Sequence, residues 1–256
     1  LARESAVLER VRADSPSPTL PDAPAVTREG LPEEEDGLLI WRERFFADDA
    51  DSRVRADLFG EPFAAAEGLE NAERILVGAG LSFADLAFVD IETCGLADDP
   101  IFLVGIAWRL GDEIELLQFF ANDPTGEPEV LRRSVDILSQ RSTWVSFNGR
   151  SFDVPRMRRR ARTHGIDFPE CEIHRDLLHE VRRRWKGELP NCKLSTVEKS
   201  LLGLGRLPGD VPGREVPDRY WDFVKGGERR WIEPVIEHNR RDIAALVALL
   251  VHVIDA

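Results

Sequence analysis

LAFVDIETCGLADDPIFLVGIAWRLGDEIELLQFF (Leu86–Phe120) contains three apolar runs, LAFVDIET, IFLVGIAW and EIELLQFF, each rich in β-branched and aromatic residues. The turn-prone GLADDP and the pair Gly111-Asp112 separate them. Runs of this length bounded by turn formers read as strands, so residues 86–120 predict an antiparallel meander of three. A helical pattern follows from about Glu127 to Gln140, then a short strand in TWVSF (Thr143–Phe147) and a helix starting near Asp153. The order is βββαβα. The remainder reads as mainly helical, near Arg175–Trp185, Leu194–Leu202 and Pro217–Val224, ending in a long apolar helix from Arg230. A three-strand meander followed by alternating helices and strands predicts an α/β fold, a mixed β-sheet flanked by α-helices.

In front of this unit the composition changes. Residues 14–37 (DSPSPTLPDAPAVTREGLPEEEDG) are rich in proline and acid with few apolar anchors, the pattern of a weakly ordered linker. GLLIWRERFF (Gly37–Phe46) suggests a strand and Ala64–Val77 has helical character. The expected division is an N-terminal segment with its acidic, Pro-rich linker at 1–37, a small accessory element at 38–85, and the α/β domain at 86–256. The chain opens on Leu1 instead of methionine, as a fragment of a longer protein would.

The 256 residues are 43% hydrophobic and 32% charged, an ordinary globular composition with room for one sizeable core. No apolar run approaches the roughly 20 residues of a membrane span, and LARESAVLERVRADS lacks the apolar stretch of a signal peptide. A cytoplasmic protein with no membrane partner is expected. Three cysteines form no paired framework, which suits a reducing compartment. Cys171, His174, His179 and Cys192 are zinc-type ligands in a short stretch, but their spacing fits no standard site; buried thiols and a solvated or core histidine are the expectation.

The net charge of -13 looks unfavourable for binding phosphate, yet it is unevenly spread. Residues 1–85 hold 9 basic and 19 acidic side chains, whereas residues 140–200 hold 14 basic and 8 acidic. Within the basic stretch, RMRRRAR (Arg156–Arg162) and RRRWK (Arg182–Lys186) read either as a phosphate-tracking surface or as solvated helix faces. Arg156, nearest to Asp153, is the candidate substrate contact among them. Trp185, Tyr220 and Trp221 read either as base-stacking or, more in keeping with their helical positions, as packing residues.

Four acids carry the chemistry. Asp90 and Glu92 end the first strand of the meander, and their i, i+2 spacing sends both side chains to one face. Two carboxylates beside each other on an otherwise apolar strand repel and resist desolvation, so they are either solvated or offset by positive charge, for which hard divalent cations are suited. Asp153, in TWVSFNGRSFDVP, reads as a helix N-cap or as a third ligand. Asn148 and Gly149 read as turn residues. Asp242 in EHNRRDIAALVALL shares a helical face with His238, four residues earlier; they are an exposed pair or a polar face completing a metal site. Asp176 precedes an amphipathic segment and reads as an N-cap or as a support outside the ligand set.

Taken in order, DIET (Asp90–Thr93), NGRSFD (Asn148–Asp153) and HNRRD (His238–Asp242) resemble the motifs of exonucleases of the ribonuclease-H-like superfamily, over about residues 86–256. The form NGRSFD and the three-residue gap in HNRRD are most similar to the proofreading domain of B-family DNA polymerases. DLLHEVRRRWKGELPNCKLSTVEKSLLG, followed by DVPG and HNRRDIAAL, looks like the stand-alone bacterial relatives of that domain. Two departures stand out: the last motif carries the histidine of one branch at the tyrosine branch's spacing, and Cys94 replaces the threonine common after DIET, with packing consequences only.

The resemblance implies a ribonuclease-H-like fold and a metal-dependent 3′-to-5′ exonuclease. Asp90, Glu92, Asp153 and Asp242 would hold two divalent cations, Mg2+ or Mn2+, with Asp90 bridging them. His238 would accept or orient the proton of the attacking water, and Asn148 would help shape the site. The implied partner is single-stranded nucleic acid with a free 3′ end, DNA foremost. Two other readings remain: a non-catalytic nucleic-acid or protein binding module on the same fold, and a structure-specific endonuclease.

Overall fold

A computed structural model describes residues 32–46, 57–60, 63, 68–95, 98–206 and 209–256. Most of the expected N-terminal segment and its linker, residues 1–31, lies outside the described residues. Seven strands run β1 (Glu33–Glu35), β2 (Leu38–Phe45), β3 (Leu86–Thr93), β4 (Ile101–Leu110), β5 (Glu113–Ala121), β6 (Thr143–Ser146) and β7 (Ile173–Asp176). They form one sheet in the order β1-β2-β5-β4-β3-β6-β7. β3 to β5 are the expected antiparallel meander, and β3, β6 and β7 pair in parallel. Helices α1 (Gly68–Gly78), α2 (Glu127–Leu138), α3 (Asp153–Thr163), α4 (Leu177–Trp185), α5 (Leu194–Leu201), α6 (Val216–Gly226) and α7 (Glu233–Asp255) flank it.

The central strands read as near-continuous apolar runs because both faces of the sheet are covered. Phe88, Ala107, Leu116 and Val145 pack with α1, α4, α5 and α7 on one face. Val89, Ile91, Ile106 and Trp144 pack with Val130 and Leu131 of α2 and Met157 of α3 on the other. A third cluster gathers Phe102, Phe120 and Tyr220, whose ring stacks on Phe102 at 4.0 Å, so Tyr220 is a packing residue. Trp221 borders the same cluster, and Trp185 lies 5.7 Å from the His252 ring.

α7 is buried along most of its length, from Ile243 to Val251 without a break. A helix apolar all round belongs inside a fold, and α7 packs across β3 and β4. Among the described residues no helix is long and apolar enough to cross a membrane.

Two expectations need correction. The helix expected from Arg175 starts at Leu177, because parallel pairing with β6, from Thr143↔Ile173 to Ser146↔Asp176, claims the preceding backbone for β7. Asp176 caps the helix, accepting from Leu178 N–H at 3.1 Å. The final helix begins at Glu233 instead of Arg230, after a 3-10 turn over Arg229–Trp231. Within 38–85, β2 pairs with β5 from Leu38↔Ala121 to Phe45↔Ile114, and α1 lies against α7, placing Ala72 and Leu76 in the common core.

Candidate active site

Asp90 and Glu92 stand side by side on β3, where they are the two partly accessible residues of a strand otherwise buried. In register they face Gly105 and Leu103 of β4. α7 crosses this face and brings Asp242 and His238 with it, while Asp153 enters from the first turn of α3. Asp153 Oδ1 accepts from the Ile91 N–H at 3.3 Å, tying the start of α3 to the strand that carries the other two acids. The four predicted acids therefore arrive on three segments, β3, α3 and α7, and the fold brings them together.

Their electrostatics record that proximity. Burial, followed by the charges of Asp242, Asp153 and Glu92, pushes the Asp90 carboxyl well above its ordinary range. Burial raises Glu92 to about 8 although the His238 charge pulls the other way, and Asp242 and Asp153 add repulsion. Asp153 rises to about 7, again mainly through burial, with backbone hydrogen bonds opposing. His238 moves up to about 9: burial works against its charge, but Asp242, Asp210 and Glu92 outweigh it.

Among the described residues no three His, Cys, Asp or Glu side chains form a preformed ion cage. The donor set nevertheless has the character of one for hard cations. It is all oxygen on the acids, and it concentrates negative charge in a half-buried place where Asp242 Oδ1 is already met by the Arg206 guanidinium at 2.7 Å. The zinc-type residues are scattered into other contacts. Cys171 Sγ bonds the Ile173 carbonyl at 3.0 Å, His174 Nε2 lies 2.8 Å from Ser146 Oγ, His179 is exposed beside Asp176, and Cys192 packs on the core.

Two further candidates take defined places at the edge of the site. Asn148 is exposed with φ at +68°, a left-handed turn position that asparagine tolerates. Its N–H and that of Arg150 both donate to Asp176, at 2.8 and 3.1 Å, so Asp176 braces the turn leading into Asp153. Arg156 is 2% exposed; its guanidinium bonds the carbonyls of Asp99 and Gly95 at 3.1 and 3.3 Å and lies over the Phe152 ring. It clamps the loop that follows β3. Neighbouring arginines of the same cluster are likewise engaged, Arg158 with Glu170, Arg159 with Asp98 and Arg160 with the buried Glu127.

Several residues that complete the site were not singled out from sequence. Arg206 places Nη2 2.7 Å from Asp242 and Nε 2.7 Å from Glu198. Asp210 receives His238 Nδ1 at 2.8 Å, leaving Nε2 turned toward Asp242 at 3.6 Å. Asn239 donates to Asp90 Oδ2 at 2.8 Å and is held in turn by Gln118. Two signals pointed to the last contact: Gln118 is a lone amide inside an apolar strand and needs a buried partner, and Gly105 in mid-strand marks a close approach.

A seven-strand sheet with this order, carrying acids on its central strand and facing helices, defines a ribonuclease-H-like α/β protein. A ribonuclease H superfamily model matches residues 87–254, and the chain belongs to that superfamily. It is 36% identical over 186 residues to the uncharacterized protein YprB of Bacillus subtilis (strain 168), an alignment covering 69% of this chain and 44% of that protein. The chain thus spans less than half the length of this curated relative. Among solved structures it is similar to the family B DNA polymerase of the hyperthermophilic archaeon Pyrobaculum calidifontis, with TM-score 0.52 and 16% identity. That match covers 64% of this chain and 24% of the polymerase, a likeness of fold.

Proposed function

We propose that this domain is a metal-dependent 3′-to-5′ exonuclease acting on single-stranded nucleic acid, DNA foremost. The observation that carries the reading is the gathering of Asp90, Glu92, Asp153 and Asp242 from β3, α3 and α7 into one place where burial and mutual repulsion raise the first three. Such an arrangement is costly without positive charge, and perturbed carboxylates of this kind mark functional sites. Superfamily membership makes nucleic acid the general substrate class, and the order DIET, NGRSFD, HNRRD supports the exonuclease branch.

Asp90, Glu92, Asp153 and Asp242 would hold two divalent cations, Mg2+ or Mn2+, which when bound supply Lewis acidity at the scissile phosphate. The chain's own groups do the rest. His238, oriented through Nδ1 by Asp210, turns Nε2 into the site and holds a proton near neutral pH while the acids are uncompensated. In that state it orients or donates; accepting a proton requires that the negative charge around it first be offset. Asn148 presents its exposed side chain beside the turn that leads into Asp153, where it can meet the strand end, and Arg156 holds the carbonyls of Gly95 and Asp99.

The test is incubation with 5′-labelled single-stranded DNA and RNA in Mn2+, Mg2+ or EDTA, with Asp90→Ala and Asp242→Ala alongside. A metal-dependent ladder shortening from the 3′ end, lost in both variants, is the expected result. Cutting of a circular single strand would replace the exonuclease with an endonuclease, and binding without cutting would replace it with a non-catalytic module.

A further inference from the structure

Across the sheet, Asp90 of β3, Gly105 of β4 and Gln118 of β5 stand in one register row. Over the middle of that row lies Asn239 of α7, fully buried, as is Gln118. A Cβ on Gly105 would come within 2.2 Å of both Asn239 Oδ1 and Ile243 Cδ1, so the glycine is the gap through which α7 reaches the sheet.

The direction of every hydrogen bond in this row is forced. The Ile236 carbonyl can only accept, so the group 2.8 Å from it must be the Gln118 amide nitrogen. The same Nε2 lies 2.8 Å from Asn239, which must therefore present Oδ1 to it. Asn239 then has only its NH2 to offer on the other side, and it donates to Asp90 Oδ2 at 2.8 Å and to the Asp90 carbonyl at 3.3 Å. A chain of fixed polarity runs from the helix backbone through two buried amides to one oxygen of the carboxylate.

We propose that Asn239 is a positioning residue, and that the row Gln118–Asn239 over Gly105 locks the Asp90 carboxylate with one oxygen capped and the other presented to the cations. The inference rests on Asp90 being a metal ligand, as the proposed function holds. It adds to that reading an assignment for Asn239, Gln118 and Gly105. Partners of this kind, which orient a ligand without touching the ion, typically contribute about 10–100-fold in metal affinity. Asn239 also fixes the distance between α7 and β3, so it sets Asp242 against Asp90 as well as orienting Asp90 itself.

The experiment compares the wild type with Asn239→Ala and Gly105→Ala by Mn2+ titration calorimetry and by denaturation in EDTA. Asn239→Ala removes the donor; Gly105→Ala keeps every polar group and displaces the amide. Both are expected to weaken Mn2+ binding at least about tenfold and to lower kcat on labelled DNA with KM little changed. Gln118→Leu, which frees the amide to turn, should weaken binding in the same sense but less. Folded Asn239→Ala and Gly105→Ala proteins whose Mn2+ affinity equals that of the wild type would overturn the inference, and a lower melting temperature alone would assign these residues to packing only. Should either variant fail to fold, Gln118→Leu decides by the same readout. A wild type that binds Mn2+ and cuts no nucleic acid would overturn the exonuclease reading alone, leaving the positioning role to stand or fall on the affinities. A wild type that binds no Mn2+ would overturn both.

Discussion

Arg206 brings Nη2 to 2.7 Å from Asp242 Oδ1, so the one acid contributed by the terminal helix is held by a guanidinium from the segment before α6. The same side chain lies 2.7 Å from Glu198 of α5, whose carboxyl burial raises to about 7 in spite of that arginine. Arg206 is therefore the counter-charge of three acids, Asp242 in the proposed site, Glu198, and Asp210 at 3.7 Å.

Replacing it with an apolar side chain should expose that role. Arg206→Met leaves Asp242 and Glu198 largely buried without their nearest cation, and breaking a buried pair from one side typically costs about 3–5 kcal/mol. Urea denaturation in EDTA should show that loss, and Mn2+ should restore more stability to the variant than to the wild type. An unchanged midpoint in EDTA would mean that the two acids find other compensation.

The raised carboxyls set a pH dependence whose sign follows from proton binding. Glu92, ordinarily 4.5, sits at about 8, Asp153, ordinarily 3.8, at about 7, and Asp90 well above 3.8. Between those limits the folded chain holds protons that the unfolded chain has released, so unfolding free energy falls as pH rises. His238, raised from 6.5 to about 9, acts in the same sense: its contribution is complete below the unfolded value and is lost as pH climbs through the folded one. Denaturation midpoints in EDTA should therefore be lower at about pH 8.5 than at about pH 6. Saturating Mn2+ should remove or reverse the trend, since cation binding favours the ionised acids.

Asp210 and His238 offer a cleaner titration. Asp210→Asn keeps the shape of the partner but removes a negative charge 2.8 Å from Nδ1. The His238 pKa, followed by imidazole NMR signals, should fall below the value of about 9 that it has with Asp210 in place. A pKa that stays put would assign the whole elevation to Asp242 and Glu92.

A stability effect without a functional one is expected on the far face. Glu127 is fully buried, accepts from the Ile101 N–H at 2.8 Å, and meets Arg160 and His164. Glu127→Gln leaves the Arg160 guanidinium without its carboxylate and should destabilise the fold by about 3–5 kcal/mol. Mn2+ affinity of the folded variant should match the wild type, because α2 carries none of the proposed ligands. A large change in affinity would show that the two faces of the sheet are coupled.

Much of this architecture was readable in the chain because local pattern and tertiary environment agree. The runs around Phe88, Val104 and Leu117 are apolar on both sides, and the structure covers both sides. Asp90 and Glu92 could be paired from strand periodicity, and His238 with Asp242 from helix periodicity. β7 escaped notice because IHRD has no apolar rhythm of its own; it is a strand through its pairing with β6. Arg206, Asp210 and Asn239 escaped for a related reason. Their partners in the site, Asp242 for Arg206, His238 for Asp210 and Asp90 for Asn239, lie 28 to 149 residues away in the chain, and short-range spacing carries no trace of such contacts. Arg156 shows the converse, a basic cluster that suggested an exposed surface and contains a buried clamp.

Among the described residues β1 ends the sheet on one side and β7 on the other. β1 is only three residues long, and each of them, Glu33, Glu34 and Glu35, is exposed. A wide, apolar sheet with an open edge invites a second sheet to continue its hydrogen-bond ladder. Here a copy approaching β1 to β1 would have to set its own row of glutamates against this one. The repulsion falls where backbone groups would otherwise welcome a neighbour, so the acid run at Glu33–Glu35 opposes pairing of β1 with β1 while leaving the face that bears Asp90 and Glu92 untouched.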